Sequence, residues 1–214
     1  MRDEYFNRGE VSNSDLSWLK KYWMPEAQII DFEKAYKFGT LVDAVITEPH
    51  KVDYYQLTVD GVQYSAEDFD KVVKMKAAFD KDEFCQGIAA KSEFQRVDVN
   101  NGFEIEHDGL KFQLNARCKW DFFMPSFNWG ADLKSTAATT QKQFEEAVRY
   151  FDYDRQRAWY MDLAGTKQDM LIGISKVNFK IFKVPIPRDS DLYKSGKAKY
   201  EELAFKWWYL FDNF

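Results

Sequence analysis

The sequence predicts an α+β fold, a central mixed β-sheet flanked by helices, and three observations predict it. Up to about residue 90 the apolar residues recur at spacings of three and four, and between Glu93 and Lys134 they alternate with polar ones. After Thr140 the helical spacing returns, gives way to two short strand-like runs, and comes back at the C-terminus. With 45% apolar and 18% aromatic side chains, the 214 residues can bury one substantial core. Residues 1–214 are therefore read as one domain, with a helical part over about 12–90, a central part over about 93–185 and a C-terminal helix over about 190–212.

The first helix opens at Ser12-Asn13-Ser14-Asp15, carries Leu16, Leu19 and Trp23 at helical spacing, and should stop before Pro25. A second runs from Phe32 to Ile46, with Phe38, Leu41, Val42, Val45 and Ile46 on one side, Asp43 inside it and Pro49 closing it. A third starts at Ser65, has acidic residues in its first turn and runs to about Lys81, with a shorter helix after it. An antiparallel meander follows: Phe103 and Ile105, then Leu110, Phe112, Leu114 and Ala116, alternate with polar residues around Asn100-Asn101-Gly102 and Asp108-Gly109. Thr140-Gln141-Lys142-Gln143 is a capping-box pattern before Phe144, Ala147, Val148 and Phe151, and another helix spans Asp154 to Leu163, ended by Gly165. Strands at Met170–Ser175 and Phe179–Val184 come next, the second terminated by Pro185 and Pro187. The tail, with Tyr200, Leu203, Ala204, Trp207, Trp208 and Phe211, reads as a last amphipathic helix.

Composition excludes several classes. No apolar run approaches membrane-spanning length, and Met1-Arg2-Asp3-Glu4 is charged where a secretory signal needs apolar residues, so a cytoplasmic protein is expected. Cys85 and Cys118 are too few for a disulfide framework or a four-cysteine metal site. His50 and His107 lie beside turn signals, far from any cysteine pair, and read as surface residues. A net charge of −5 disfavours nucleic acid unless Lys and Arg cluster locally.

The chemistry-bearing stretch runs from Arg117-Cys118-Lys119-Trp120-Asp121 to Asp132-Leu133-Lys134. Side chains alternate along a strand, so Asp132 and Lys134 share a side while Leu133 faces the core behind them. The intervening Pro125-Ser126-Phe127-Asn128 can fold Asp121 toward that same side. Hydrolysing a phosphodiester requires neutralising the phosphate and generating hydroxide, and a divalent ion on hard oxygen ligands does both. Asp121 and Asp132 are the candidate ligands. Lys134 is placed to set an ammonium, or an amine of depressed pKa, against the attacking water or the developing charge. Gln156 and Tyr160, four apart on a predicted helix, share a face and can each hydrogen-bond a phosphate or a ligand carboxylate.

Taken in order, Asp121, then Asp132-Leu133-Lys134-Ser135-Thr136, then Phe144 through Gln156-Arg157-Ala158-Trp159-Tyr160, this stretch resembles the nuclease core of phage-type exonuclease VIII. The Asp…Asp-x-Lys and Gln-x-x-x-Tyr patterns are similar to the signatures of RecB-like nucleases of the PD-(D/E)XK superfamily. Upstream, Ser12-Asn13-Ser14-Asp15-Leu16 resembles that family's N-terminal helix start and Gly39-Thr40-Leu41-Val42-Asp43 its Gly-x-x-x-His motif, so the likeness spans Ser12 to Gly165. The resemblance implies a restriction-endonuclease-like nuclease core that hydrolyses DNA with Mg²⁺ or Mn²⁺ held by Asp43, Asp121 and Asp132. The family has histidine where this chain has Asp43, and oxygen in place of nitrogen suits Mg²⁺. It also implies that Lys119, Ser135 and Thr136 border the DNA path, and position and charge add Arg117, Arg155 and Arg157 as phosphate contacts. Double-stranded DNA with a free end, 5′ to 3′ polarity, a homo-oligomer around a central channel and a single-strand annealing recombinase as partner come from the resemblance alone.

Plainer readings stand beside these. An isolated Asp-x-Lys is usually a solvated strand face. Gln156 can be a polar position on a half-buried helix, with Trp159 and Tyr160 as core aromatics. Asp43 inside an apolar helix costs free energy unless paired or metal-bound, and a helix-surface aspartate is the alternative. Glu104 and Glu106 read as the outer face of a strand. Trp207-Trp208-Tyr209 could stack bases, but the helical spacing favours core packing. For the whole chain, one rival is a catalytically silent DNA-binding or recombination-partner protein on the nuclease fold. The other is an unrelated α+β interaction protein, in which Asp121 and Asp132 would diverge in space.

Overall fold

A computed structural model describes residues 4–23 and 32–212. Pro25, the expected stop of the first helix, and Met1-Arg2-Asp3 lie outside the described residues. The helices are α1 (Asn13–Trp23), α2 (Phe32–Thr47), α3 (Ala66–Lys81), α4 (Glu83–Ala89), α5 (Gln141–Tyr150), α6 (Tyr153–Ala164) and α7 (Asp191–Trp207), the last followed by a π-helical turn over Trp208–Asp212. The strands are β1 (Val52–Asp53), β2 (Thr58–Val59), β3 (Val62–Gln63), β4 (Glu93–His107), β5 (Leu110–Met124), β6 (Trp129–Thr136), β7 (Gln168–Ser175) and β8 (Ile181–Pro187).

Local chemistry sets the helix starts. Ser65 accepts the Asp68 N–H at 3.1 Å, Asp82 that of Cys85 at 3.0 Å, Thr140 that of Gln143 at 3.3 Å and Ser190 that of Tyr193 at 3.2 Å, each supplying an acceptor to a first turn that has none of its own. The reciprocal half of the expected capping box is shifted by one residue, since Gln143 Oε1 accepts from Thr139 N at 2.8 Å. Gly165 ends α6 at φ 68, as the sequence indicates. The stretch between α2 and α3, unassigned from the sequence, is a small three-stranded sheet. It turns on Asp60-Gly61, both at positive φ, the pattern of a tight hairpin.

The main sheet has the order β4-β5-β6-β7-β8. Its neighbours are antiparallel except β6 and β7, which are parallel and so need a crossover, supplied by α5 and α6. One face packs Phe112, Leu114, Trp120, Phe144, Trp159 and Tyr200 under α5, α6 and α7. The other packs Leu41, Val45, Val72, Met75, Phe122 and Leu133 under α2, α3 and α4. Two glycines allow close approach. At Gly196 an added Cβ would lie 2.1 Å from the Asp154 carbonyl oxygen, and at Gly173 it would lie 2.6 Å from the Phe144 ring.

Two features depart from simple alternation. Along β5, Phe112, Leu114, Ala116, Cys118 and Trp120 enter the first core, but Phe122 and Met124 enter the second while Phe123 joins the first. The facing of the strand therefore flips at Asp121, opposite Gln95, whose φ of 53 interrupts the ladder there. The second departure corrects the expectation that Pro185 and Pro187 end the last strand after Val184: both prolines lie within β8. They are tolerated because β8 is the sheet's edge and both are exposed. On the same strand the Gln141 side-chain amide bonds both the carbonyl and the N–H of Lys183, at 2.9 and 3.4 Å. Among the described residues, no helix is long and apolar enough to cross a membrane.

Candidate active site

Strands β5 and β6 pair from Met124↔Trp129 to Phe122↔Ala131 and then part. At the fork, Asp121 Oδ2 accepts the backbone N–H of Leu133 at 2.7 Å, taking the place of the ladder bond that the diverging strand no longer offers. Leu133 itself is buried in the second core, as alternation requires, and leaves Asp132 and Lys134 on the other side. Asp121 and Asp132 therefore converge rather than diverge.

Asp132 is 2% exposed and gripped from two directions. Its Oδ1 lies 2.6 Å from Arg157 Nη1, and its Oδ2 lies 2.6 Å from Lys134 Nζ. Lys134 Nζ also sits 4.9 Å from the centre of the Tyr153 ring. Burial alone would lower its pKa, but Asp132, Tyr153 and Asp121 outweigh burial and hold it above the usual lysine range. Lys134 is thus an ammonium, and the alternative of a depressed-pKa amine is set aside. Burial first, then Asp132, pushes the Asp121 carboxyl up to about 7, against the pull of Lys134 and the Leu133 N–H. Burial and then Asp121 push Asp43, on α2, well above the ordinary carboxylate range. Asp43, Asp121 and Lys134 each keep some accessible surface, so they line a cleft at the fork that solvent can reach.

Sequence reasoning missed Asp169 and Tyr153. Asp169, on β7, is buried and lies 3.1 Å from the Arg157 guanidinium, which is itself fully buried. Burial drives Asp169 up to about 7 against Arg157, while Asp169 and Asp132 hold the guanidinium protonated despite its burial. A guanidinium does not lose its proton in water, so the Asp132–Arg157–Asp169 bridge is read as ionic. The available signal was a lone acid just before the apolar run Met170-Leu171-Ile172.

Other expected residues fall elsewhere. Gln156 Nε2 and the Tyr160 hydroxyl contact each other at 3.4 Å, as their spacing predicts. Tyr160 is 6% exposed and packs against Trp120 and, 4.2 Å away, the Arg157 guanidinium, so the core-aromatic reading describes its surroundings. The phosphate contacts expected of Arg117 and Arg157 are corrected: both are buried, Arg157 between its two carboxylates and Arg117 against Asp15 at 3.4 Å and the Arg8 carbonyl at 3.2 Å. Arg155 is also buried, with its Nε on Asn13 Oδ1 at 3.0 Å and its Nη2 on Ser17 Oγ at 2.5 Å, but its Nη1 is left without a hydrogen bond. Lys119 and Ser135 are half-buried, and Thr136 Oγ1 accepts the Ala138 N–H at 3.1 Å.

Among the described residues, no three His, Cys, Asp or Glu side chains stand close enough, as arranged, to grip an ion. The donor set nevertheless suits a hard divalent cation. Asp43, Asp121 and Asp132 offer carboxylate oxygens, two of them resist ionisation where they are, and a cation would relieve that resistance. Lys134 pairs with the buried Oδ2 of Asp132 and would have to yield it.

No curated protein matches the chain. Among solved structures, a protein of Eubacterium rectale named as a candidate exonuclease aligns with a TM-score of 0.55 at 19% identity, covering 88% of this chain and 70% of that one, a likeness of fold. A phage-related exonuclease from Haemophilus somnus aligns at 12% identity and a TM-score of 0.39, covering 91% and 84% of the two chains. An alkaline exonuclease from Laribacter hongkongensis aligns at 13% and 0.34, covering 96% and 93%. The family model described as a PDDEXK-like domain of unknown function (DUF3799) matches residues 14–194. With its forked strands, its Asp-x-Lys pair and that match over most of its length, the chain belongs to this PDDEXK-like family.

Proposed function

We propose that the protein is a divalent-metal-dependent deoxyribonuclease that hydrolyses phosphodiester bonds at the β5–β6 fork. The observation that carries this reading is the Asp121 carboxylate, fixed by the Leu133 N–H at the fork, beside the Asp132–Lys134 pair on the next strand. Asp43, Asp121 and Asp132 would hold Mg²⁺ or Mn²⁺, which when bound supplies Lewis acidity and an ionised water. Arg157 aims Asp132 from behind, and Tyr160 packs on Arg157 to keep it there. The Lys134 ammonium, backed by the Tyr153 ring, is freed to meet the negative charge that develops on the phosphate. Gln156, half-buried next to Tyr160, offers an amide toward the same cleft. Lys119, Ser135 and Thr136 border the path of the DNA.

The finer picture rests on the motif resemblance alone. It comprises attack from the free end of a duplex in phage-type recombination, a homo-oligomer and a single-strand annealing recombinase as partner, while a cytoplasmic setting rests on composition.

The test is digestion of linear duplex DNA with Mg²⁺ or Mn²⁺ against a chelator control. Wild type should release nucleotides, and Lys134→Ala should slow release by about 100-fold or more. A second reading, DNA binding without cleavage, is favoured by one observation: both Asp132 oxygens already face cations, Oδ1 hydrogen-bonded to Arg157 and Oδ2 in an ion pair with Lys134. DNA retained but uncut with every cation would establish it.

A further inference from the structure

Between α1, α6 and α7 lies a pocket of about 160 Å³ whose lining residue Asp152 precedes Tyr153, the ring beside Lys134. Its wall carries four cations, Lys20, Arg155, Lys199 and Lys206, against two carboxylates, Asp152 and Glu202. Arg155 is the informative member. It is 3% exposed, and its Nη1 is buried with no hydrogen-bond partner, the nearest carboxylate oxygen, of Asp152, being 3.8 Å away. A buried guanidinium nitrogen left unsatisfied in a cation-rich pocket has the chemistry of an anion seat.

The rim of this pocket is aromatic. Trp18 and Tyr22, one turn apart on α1, stack with ring centres 5.7 Å apart and are 53% and 74% exposed. Phe211 extends the patch 6.4 Å from Trp18, and Trp23 lines the pocket itself. Toward the fork, Lys21 lies 5.6 Å from the centre of the exposed Tyr36 ring. Tyr36 is close enough to Tyr153 and Arg155 to perturb both, and Tyr153 is the ring on which Lys134 rests. Exposed aromatic rings and lysines thus surround the pocket, and half-buried Tyr153, next to its lining residue Asp152, links it to Lys134. Monomeric proteins rarely expose such patches without a partner.

We propose that this strip carries single-stranded DNA at the fork, with bases stacked on Trp18 and Tyr22 and a backbone phosphate seated on Arg155. Flat rings without shaped hydrogen-bonding partners stack any base and exclude a closed duplex, whose π-faces are hidden. The lining carries more cations than carboxylates in a chain whose net charge is −5, and a phosphate there competes with the pairs of Lys20 and Lys199 with Asp152, of Lys199 with Asp154 and of Lys206 with Glu202. The nature of the polymer rests on the nuclease reading of the fork, but its binding does not need cleavage.

The test is fluorescence anisotropy with labelled oligothymidylate and with a blunt duplex of equal length, in chelator so that nothing is cut. Wild type should bind the single strand more tightly than the duplex. Trp18→Ala combined with Tyr22→Ala should weaken single-strand binding about tenfold and leave the salt slope unchanged. Lys206→Gln should lower that slope by about 0.7. These side chains are exposed or at the surface, and circular dichroism checks that each variant folds. Equal affinity for both polymers, unchanged binding in the aromatic variant, or loss of self-association on sedimentation with DNA binding intact would each overturn the proposal, the last by making the patch a face between copies. A protein that binds single strands this way yet cuts nothing with any cation would sink the nuclease reading and leave the strip standing.

Discussion

Asp121 Oδ2 holds the backbone N–H of Leu133 at 2.7 Å, so one carboxylate both closes the last gap in a parting ladder and faces the cleft. The two duties separate by substitution. Asp121→Asn keeps an acceptor for Leu133 and should leave stability within about 0.5 kcal/mol of wild type, yet abolish cation-stimulated cleavage. Asp121→Ala strands a partly buried donor and should cost a further 1–3 kcal/mol or so in urea denaturation. Equal stability of the two variants would refute the bridging role.

Arg157 is fully buried between Asp132 and Asp169. Arg157→Met leaves Asp169 buried without its cation and Asp132 with Lys134 alone, at a cost of about 3–5 kcal/mol. Arg157→Lys should recover little, because a point charge cannot fork between two acids on adjacent strands. Combining Arg157→Met with Asp169→Asn should restore part of the loss. Additive effects in a double-mutant cycle would show that the bridge is not a unit.

Gly196→Ala raises helix propensity by about 1 kcal/mol and would ordinarily stabilise. Here the new Cβ meets the Asp154 carbonyl oxygen at 2.1 Å and the Arg155 amide nitrogen at 2.9 Å, backbone atoms that cannot rotate away. The clash outweighs the gain, and a net loss of about 2 kcal/mol is expected from the overpacking. Thermal melting of the single variant decides the sign.

Asp162 supports an acid-limb prediction. Burial disfavours its charge, but the Tyr193 and Tyr200 hydroxyls and Lys197, with Arg188 also paired to it, more than compensate and hold its pKa below the usual range. A depressed folded-state pKa means stabilisation that is complete above about pH 4, the unfolded value, and lost as pH falls through the folded one. Asp162→Asn should lower stability at pH 7 and flatten the decline below pH 4. Parallel wild-type and variant curves over that range would contradict it.

The elements that local chemistry decides were legible in the sequence. Ser65, Thr140 and Gly165 mark helix ends because a cap needs only neighbours. Asp132 and Lys134 could be paired because alternation is a two-residue rule. The Arg157–Asp169 bridge was not legible, since it depends on which strand lies beside β6, and β7 arrives there only after two helices. Arg117 and Arg157 were misread as phosphate contacts for the same reason: charge is visible in a sequence, but the acids that neutralise it across the fold are not. The flip in facing at Asp121 is equally hidden. Strict alternation would place Phe122 with Trp120, and only the distorted partner strand at Gln95 shows why it does not lie there.

The outer margin of β8 has one more implication. At alternate positions it presents an amide already engaged by Gln141, at Lys183, and then two imino nitrogens with no hydrogen, at Pro185 and Pro187. A neighbouring molecule seeking to continue the sheet from that side finds no free main-chain donor at these three positions, so this edge resists fibre-like growth. Copies that met at this edge would have to do so mainly through side chains.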